Sequence, residues 1–174
     1  MNYFPKINRW LIPEGALRCS REEMARDGRV GNEGTALWLG KKEDGEARLT
    51  HLVFLRGRGI HKGPLNIWID PELMREVHEQ AERVGTILIG QIHSHDRDYG
   101  VGLSPTDRAY GVRVPYFLSV VYPDFASRED TTILDCGVHV FMPERDFVRL
   151  TDRQVSKQII MCKSDFEVLI IGEP

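Results

Sequence analysis

Apolar and polar positions along the chain follow two different periods, which predicts a mixture of helices and strands. After Asp70-Pro71, apolar residues recur at helical spacing as far as Gly85, which predicts an amphipathic helix with proline at its first position. A second helix is predicted over 16–26. Short apolar or β-branched runs bounded by turn residues predict strands over 9–12, 33–40, 47–55, 86–95, 115–122, 131–142, 146–150 and 168–171.

Two polar segments separate some of these predicted elements. The segment 41–46 contains Asp44-Gly45 and is typical of a hairpin turn, so the strands on either side of it pair as a meander and not through a crossover. The segment 57–64 is rich in glycine and ends in proline, which predicts a mobile surface loop without regular structure.

Length and charge limit the class of protein. A chain of 174 residues suits one domain, because domains commonly have about 100 to 150 residues, and we expect a single domain over 1–174. The 23 basic and 26 acidic residues give a net charge of −3, which provides no field to attract nucleic acid. No apolar run approaches the roughly 20 residues of a membrane helix, so we expect no membrane partner and a soluble, cytoplasmic protein.

The cysteines argue against a disulfide framework. Cys19, Cys136 and Cys162 are odd in number, far apart, and never part of a Cys-x-x-Cys pair. Such a pattern implies neither paired disulfides nor a cysteine zinc site, so we expect free thiols.

His93-Ser94-His95 is the most informative segment of the chain. Side chains two apart in a strand share a face, so both imidazoles point the same way from Cα atoms about 6.6 Å apart. Two neutral imidazoles at this spacing can bind one metal ion, and a zinc hydrolase adds a third protein ligand and leaves a position for water. By itself, His-x-His is more often a pair of polar residues where a strand emerges.

Ser104-Pro105-Thr106-Asp107 follows the loop 96–103 and marks the start of a helix, with serine at the N-cap, proline at the first position and an acid at the third. A helix that begins here can direct Ser104 and Asp107 back over the strand end, which makes Asp107 a candidate third ligand. Alone, this pattern is a capping box. Together with the two histidines it favours a metal site for one Zn2+ per chain.

Glu33 opens an apolar strand and is a candidate general base. A metal hydrolase needs a group that takes a proton from water and passes it to the leaving group, and no other acid opens an apolar strand in this way. Other histidines receive no metal role: His61 lies in the predicted loop, His78 on the polar helix face, and His139 between two valines, where a structural histidine is commoner.

Five positions together fit the signature of the JAMM, or MPN-plus, family of zinc metalloproteases, which the chain resembles. The signature is an upstream Glu-x-x-small-x-x-x-Gly, then His-x-His, then Ser-x-x-Asp. The matching functional positions are Glu33, His93, His95, Ser104 and Asp107.

The resemblance extends over most of the chain and has two departures. Ala36 and Gly40 fit the spacing that follows the upstream glutamate. The proline usual after the second histidine is replaced by Asp96, and the loop 96–103 is one residue longer than usual. These departures concern the shape of the loop and not the ligand positions.

The resemblance implies a fold and a set of roles. The fold would be α+β, of the MPN/JAB (cytidine-deaminase-like) type, with a mostly antiparallel central sheet flanked by helices. His93, His95 and Asp107 would hold zinc, Glu33 would be general base and acid, and Ser104 would help to hold the tetrahedral oxyanion.

The resemblance also implies a substrate. The chain is similar to small prokaryotic members that remove a ubiquitin-like protein from targets or mature its precursor, some of them in antiviral operons. The expected partners are a ubiquitin-like protein or its conjugate and E1- and E2-like enzymes of the same operon. The extended C-terminal tail would lie in a groove by β-addition to an exposed strand, with 56–68 as the insert beside it.

Two alternatives stay open at the level of sequence. The first is a catalytically silent MPN scaffold that only binds partners, although such relatives usually lose metal ligands that are filled here. The second is another zinc hydrolase, such as a metallo-β-lactamase-like nuclease or a phosphoesterase, whose motif would need Asp at Arg97 and His at Asp98. A zinc deaminase lacks support because there is no Cys-x-x-Cys.

Overall fold

The computed structural model of the chain describes residues 6–172. The strands are β1 (Arg9–Pro13), β2 (Thr35–Glu43), β3 (Glu46–Leu55), β4 (Ile60–Lys62), β5 (Ile67–Ile69), β6 (Ile87–Ser94), β7 (Leu118–Tyr122), β8 (Gly137–Met142), β9 (Asp146–Arg149), β10 (Ile159–Cys162) and β11 (Glu167–Ile171). The α-helices are α1 (Glu14–Gly28), α2 (Pro71–Arg83), α3 (Pro105–Tyr110) and α4 (Asp152–Gln158).

Nine strands form a curled sheet in the order β10-β1-β3-β2-β6-β7-β8-β9, with β11 also paired to β3. Four of the eight strand pairings are antiparallel and four are parallel. The predicted α+β class is confirmed, but the sheet is mixed where a mostly antiparallel one was expected. The reason is that the segment containing α3 returns the chain across the sheet, so β7 runs parallel to β6, while β10 and β11 add parallel to β1 and β3.

The two faces of the sheet are covered by different helices. Trp38 of β2 packs in a core cluster with Met24 of α1, whereas its neighbour Leu37 packs in a second cluster with Val77 of α2. Alternate side chains of a strand point to opposite faces, so a strand buried on both faces reads as a continuous apolar run. This explains why 36–39 is apolar throughout, and it places β2 and β6 in the middle of the molecule.

The structure differs from the predicted elements in three places. The segment 57–64 is not an irregular loop: its centre forms β4, which pairs with β5 in a two-stranded hairpin. The predicted strand 131–142 starts later, because Ile133–Asp135 forms a 3-10 turn before β8. The elements α4 and β10 were not predicted, although Thr151 and Gln154 form a capping box that the sequence displays.

Two further observations concern the described residues. None of their helices combines the length and apolar character that a membrane crossing demands. The three cysteines are free, as predicted, with Cys136 buried and the other two half-buried.

Candidate metal centre

His93 and His95 lie at the carboxyl end of β6, where the strand leaves the sheet. Both side chains are buried, with 4% and 3% of their surfaces exposed. Their Nε2 atoms are 3.1 Å apart. The backbone holds them in place, because His93 pairs with Thr35 of β2 and the His95 amide donates to the Tyr122 carbonyl at 2.9 Å. The prediction that the two imidazoles share a direction is therefore confirmed.

Asp107 reaches the imidazoles from the first turn of α3. The Ser104 hydroxyl accepts a hydrogen bond from the Asp107 amide at 3.0 Å, and the Ser104 amide donates to Asp107 Oδ2 at 2.7 Å. The same Oδ2 lies 3.2 Å from His95 Nε2 and 3.5 Å from His93 Nε2. One carboxylate thus completes the capping box and faces both rings. Two imidazole nitrogens and one carboxylate oxygen, all within 4.8 Å of one another, form a set that can hold a metal ion.

The tautomer of His95 follows from its second nitrogen. His95 Nδ1 lies 3.1 Å from the carbonyl oxygen of Gly100, which can only accept a hydrogen bond. His95 Nδ1 therefore carries a hydrogen: in the neutral imidazole the lone pair of Nε2 is available to a metal ion, and in the protonated imidazole Nε2 donates to Asp107. A backbone carbonyl that orients a histidine in this way is a common partner of metal-binding imidazoles.

The carboxylates and imidazoles of the cluster shift one another's pKa values toward the charged forms of Asp107 and His95. Burial by itself raises the pKa of Asp107, but hydrogen bonds from His93 and His95 and from the Ser104 amide hold that pKa well below its usual range. Burial by itself lowers the pKa of His95, yet Asp107 and Glu33 give it a net upward shift. The carboxylate is therefore ionised at neutral pH, as a metal ligand must be.

Glu33 stands just before β2 and lies close to His95. Its side chain is 4% exposed, and Glu33 Oε1 lies 3.9 Å from His95 Nε2. Burial raises the pKa of Glu33 to about 7, with His95 lowering it and Asp107 raising it. A carboxylate with such a pKa can both accept and return a proton near neutral pH. The structure thus brings Glu33 to the cluster, although it is 60 residues from His93 in the chain.

A cavity of about 310 Å3 extends from the cluster between the β4–β5 hairpin, α2 and α3. Glu33, His93 and Asp107 line one part of it. Most of the remaining lining is apolar, from Leu37, Ile67, Trp68, Ile69, Met74, Tyr110 and Val112. Ser104 is not among the lining residues: it occupies the N-cap of α3, with its hydroxyl against the Asp107 amide.

Comparison with known proteins gives one relative at the level of sequence. Over 129 residues the chain is 30% identical to a protein of Sinorhizobium fredii (strain NBRC 101917 / NGR234) named probable metalloprotease y4jG. The match covers 72% of this chain and 78% of that protein. The chain belongs to the family of this probable metalloprotease. No family model matches the chain.

Two solved structures share the fold of this chain. The solution structure of protein DSY2949 from Desulfitobacterium hafniense has a TM-score of 0.60 at 14% identity and covers 90% of this chain and 94% of its own. The solution structure of a protein from Salinibacter ruber has a TM-score of 0.52 at 18% identity, and the match covers 87% of this chain and 90% of that protein. At these identities the likeness concerns the fold alone.

The sequence reasoning missed how the hairpin of this family member supports the site. The Glu33 amide donates to the Gly63 carbonyl at 2.8 Å, and Lys62 Nζ lies 2.7 Å from Asp27 Oδ2 of α1. The hairpin is thereby fixed beside the buried acid. The triplet Ile67-Trp68-Ile69 carried a strand signal that could have revealed this hairpin.

Proposed function

We propose that the chain is a zinc-dependent (iso)peptidase of the JAMM type. The observation that carries the proposal is the meeting of two imidazoles and a carboxylate with a buried glutamate 3.9 Å away. The name of the Sinorhizobium fredii relative supports proteolytic chemistry. The motif of Glu33, His93, His95, Ser104 and Asp107 supports the JAMM assignment.

The spacing of the three ligand atoms supports zinc. With bonds of about 2.0 to 2.1 Å, a tetrahedral zinc ion places its ligand atoms about 3.3 Å apart. The three separations among His93 Nε2, His95 Nε2 and Asp107 Oδ2 are 3.1, 3.2 and 3.5 Å. Three protein ligands with an open fourth position are typical of a catalytic site rather than a structural one.

The side chains divide the work of hydrolysis among them. Zinc, when bound, supplies a Lewis acid that polarises the substrate carbonyl and acidifies water. Glu33 takes the proton of the attacking water and passes it to the leaving amine nitrogen. The Ser104 hydroxyl, whose oxygen accepts from the Asp107 amide, keeps its hydrogen to donate to the oxygen that becomes negative.

The free edge of β5 supports an extended peptide as substrate. In the hairpin, the Gly63 amide donates a hydrogen bond to the Asn66 carbonyl at 2.9 Å, and the Asp70 amide donates to the Gly59 carbonyl at 2.8 Å. Because bonded and non-bonded pairs alternate in an antiparallel ladder, the amides and carbonyls of Ile67 and Ile69 point away from β4. Within residues 6–172 they have no backbone partner. An extended tail can add there as a further strand.

We extend the proposal to the substrate class. The C-terminal tail of a ubiquitin-like protein is extended and is joined to its target through a carbonyl that hydrolysis can release. Such a tail can pair with β5 while its last carbonyl reaches His93, since both line one cavity. A metallo-β-lactamase-like nuclease fits less well, because it needs further histidine ligands. Among the described residues the one cluster of three candidate ligands is His93, His95 and Asp107.

Cleavage of ubiquitin-like fusions, read by mass with and without a chelator, tests the proposal. Replacing Glu33 by Gln removes the proton carrier but no ligand, so hydrolysis should fall at least 100-fold while zinc content stays at one per chain. Replacing His95 by Ala should lose both zinc and activity. His78→Ala is the matched control, because His78 is exposed on α2 and should change neither.

Appreciable turnover by the Glu33→Gln variant would remove that residue from its role. Cleavage of phosphodiesters without cleavage of any ubiquitin-like fusion would contradict the proposed reaction.

A further inference from the structure

We infer that the cavity beside the metal centre is a specificity pocket for one large apolar side chain of an extended peptide, selected by Trp68 and Tyr110. The inference rests on the proposed peptidase function, and it adds the chemistry of the substrate residue that lies over the cavity. It concerns the part of the cavity that contributes no ligand and no proton carrier.

The lining of the cavity is mostly apolar. Its polar members are Glu33, Thr35, Gln91, His93, Thr106 and Asp107. Its apolar members include Leu37 of β2, Ile67 and Ile69 of β5, and Met74 of α2. A concave, mostly apolar site of about 310 Å3 with a small number of polar groups is typical of a ligand pocket. An apolar side chain gains by leaving water there, and a charged one would lose its hydration without a partner.

Trp68 and Tyr110 both line this pocket and form its exposed rim. Trp68 belongs to β5 and Tyr110 to the end of α3, and their rings meet edge to face with centroids 5.4 Å apart. Trp68 is 47% exposed and Tyr110 is 71% exposed, although both have large, mostly apolar side chains. Trp68 Nε1 donates to Asp70 Oδ1 at 3.1 Å, which holds the indole in place. Exposed, oriented aromatic rings at a cavity rim are typical anchors for a binding partner.

The free edge of β5 supplies the direction of the peptide. A strand added beside Ile67 and Ile69 turns alternate side chains to the same face. One of them therefore faces the pocket while the chain continues toward His93. The pocket would bind the apolar side chain of that residue, and the edge of β5 would hydrogen-bond the peptide backbone.

A binding experiment can test the pocket without hydrolysis. The zinc-loaded Glu33→Gln protein is titrated with blocked seven-residue peptides of Gly, Ser and Thr, in which one position carries Gly, Leu or Phe and that position is scanned along the peptide. We expect one position at which Leu or Phe binds about 10-fold or more tightly than Gly. Trp68 is the exposed tryptophan, since Trp10 and Trp38 are 2% and 1% exposed, so a blue shift of the emission would report its cover by the peptide.

Variants at the rim distinguish a selective pocket from nonspecific binding to exposed apolar residues. Tyr110→Ala, followed by fluorescence, and Trp68→Ala, followed by calorimetry, should each reduce the preference for Leu over Gly to about threefold or less. Leu134→Ala is the matched control: Leu134 is 49% exposed, lies outside the cavity, and should keep the full preference.

Two outcomes would overturn the inference: no position prefers an apolar residue, or both rim variants bind like Leu134→Ala. The same experiments test the proposed function separately. Selective binding with no cleavage of any fusion would contradict the peptidase function but support the pocket. Cleavage that does not depend on the scanned residue, and is unchanged in Trp68→Ala, would support the peptidase function but contradict the pocket.

Discussion

At the scale of single residues, Asp107 shows how local structure and site chemistry share one side chain. Its Oδ2 accepts from the Ser104 amide at 2.7 Å and lies 3.2 Å from His95 Nε2. The capping bond fixes the carboxylate before any ion arrives, so little conformational freedom remains to be lost on binding. An acid at the third helical position is common, and only the facing imidazoles make this one a candidate ligand.

Asp107→Asn should separate the two roles. The amide oxygen can still accept from the Ser104 amide, so the helix start should be kept, but the metal-free protein should lose stability at neutral pH because the folded state favours the charged carboxylate. The lost charge should weaken zinc binding at least 10-fold, measured by competition with a chelating dye. Asp152→Asn, at the start of α4, controls for a helix-start acid outside the site. Unchanged zinc affinity in Asp107→Asn would exclude Asp107 as a ligand.

His139 predicts a pH dependence of stability. It is 1% exposed, and its Nδ1 has no partner among the described residues. Burial, helped by Arg149 and Arg108, lowers the pKa of His139 to about 4, whereas an unfolded histidine titrates near 6.5. The unfolded chain therefore binds more protons between these values, and stability should fall as pH falls from about 6.5 toward 4, by up to about 3 kcal/mol.

The contribution of His139 is isolated by comparison with a variant that does not titrate. Urea unfolding of the wild type and of His139→Gln, with chelator present, should show a larger loss for the wild type between pH 7 and pH 4.5. Equal losses in the two proteins would mean that His139 does not carry the effect.

At the scale of elements, the loop 96–103 depends on the absence of a side chain on β8. A Cβ added at Gly137 would lie 1.7 Å from the carbonyl oxygen of Val101. The loop therefore packs directly on the strand, one residue from the Gly100 carbonyl that orients His95.

Gly137→Ala should push the loop off β8. The clash is with backbone, which cannot rotate away, so we expect a loss of about 1 to 3 kcal/mol in stability together with weaker zinc binding. Gly102→Ala is the matched change in the same loop, because a Cβ there meets nothing within 4 Å, and it should alter neither quantity. Full zinc affinity in Gly137→Ala would show that the loop does not support the site.

At the scale of the whole molecule, the site joins two strands of the sheet and a helix. Thr35 pairs with His93, so the entrance of β2 meets the exit of β6, and α3 folds back over both. An ion at this junction would link segments that are separate in the chain. Ligands that bind only the folded state raise its stability by mass action.

Zinc should therefore stabilise the metal-free protein against heat. At about 100 times its dissociation constant, a single ion adds roughly 2.7 kcal/mol, which for a chain of this size raises Tm by about 5 to 11 °C. Calorimetric scans with zinc and with chelator measure the shift. His95→Ala, which lacks one of the three candidate ligands, should show little or no rise, and an equal rise in that variant would place the ion elsewhere.

The sequence by itself determined the local features of this protein. It located α2, the strand of the two histidines and the capping box at Ser104, because these depend on residues within a few positions of one another. It did not predict β10 or the parallel edges of the sheet, whose partners are distant in the chain. The sequence also did not predict the cavity or the contact between Trp68 and Tyr110.

Only the tertiary structure decided whether Glu33 meets the imidazoles. A glutamate before an apolar strand is equally compatible with solvent, and its motif spacing says nothing about distance. Antiparallel pairing of β2 with β6 brings it to 3.9 Å from His95 and buries it, which also raises its pKa. Local patterns are fixed by neighbours in the chain, whereas proximity and burial are properties of strand order, which many residues determine together.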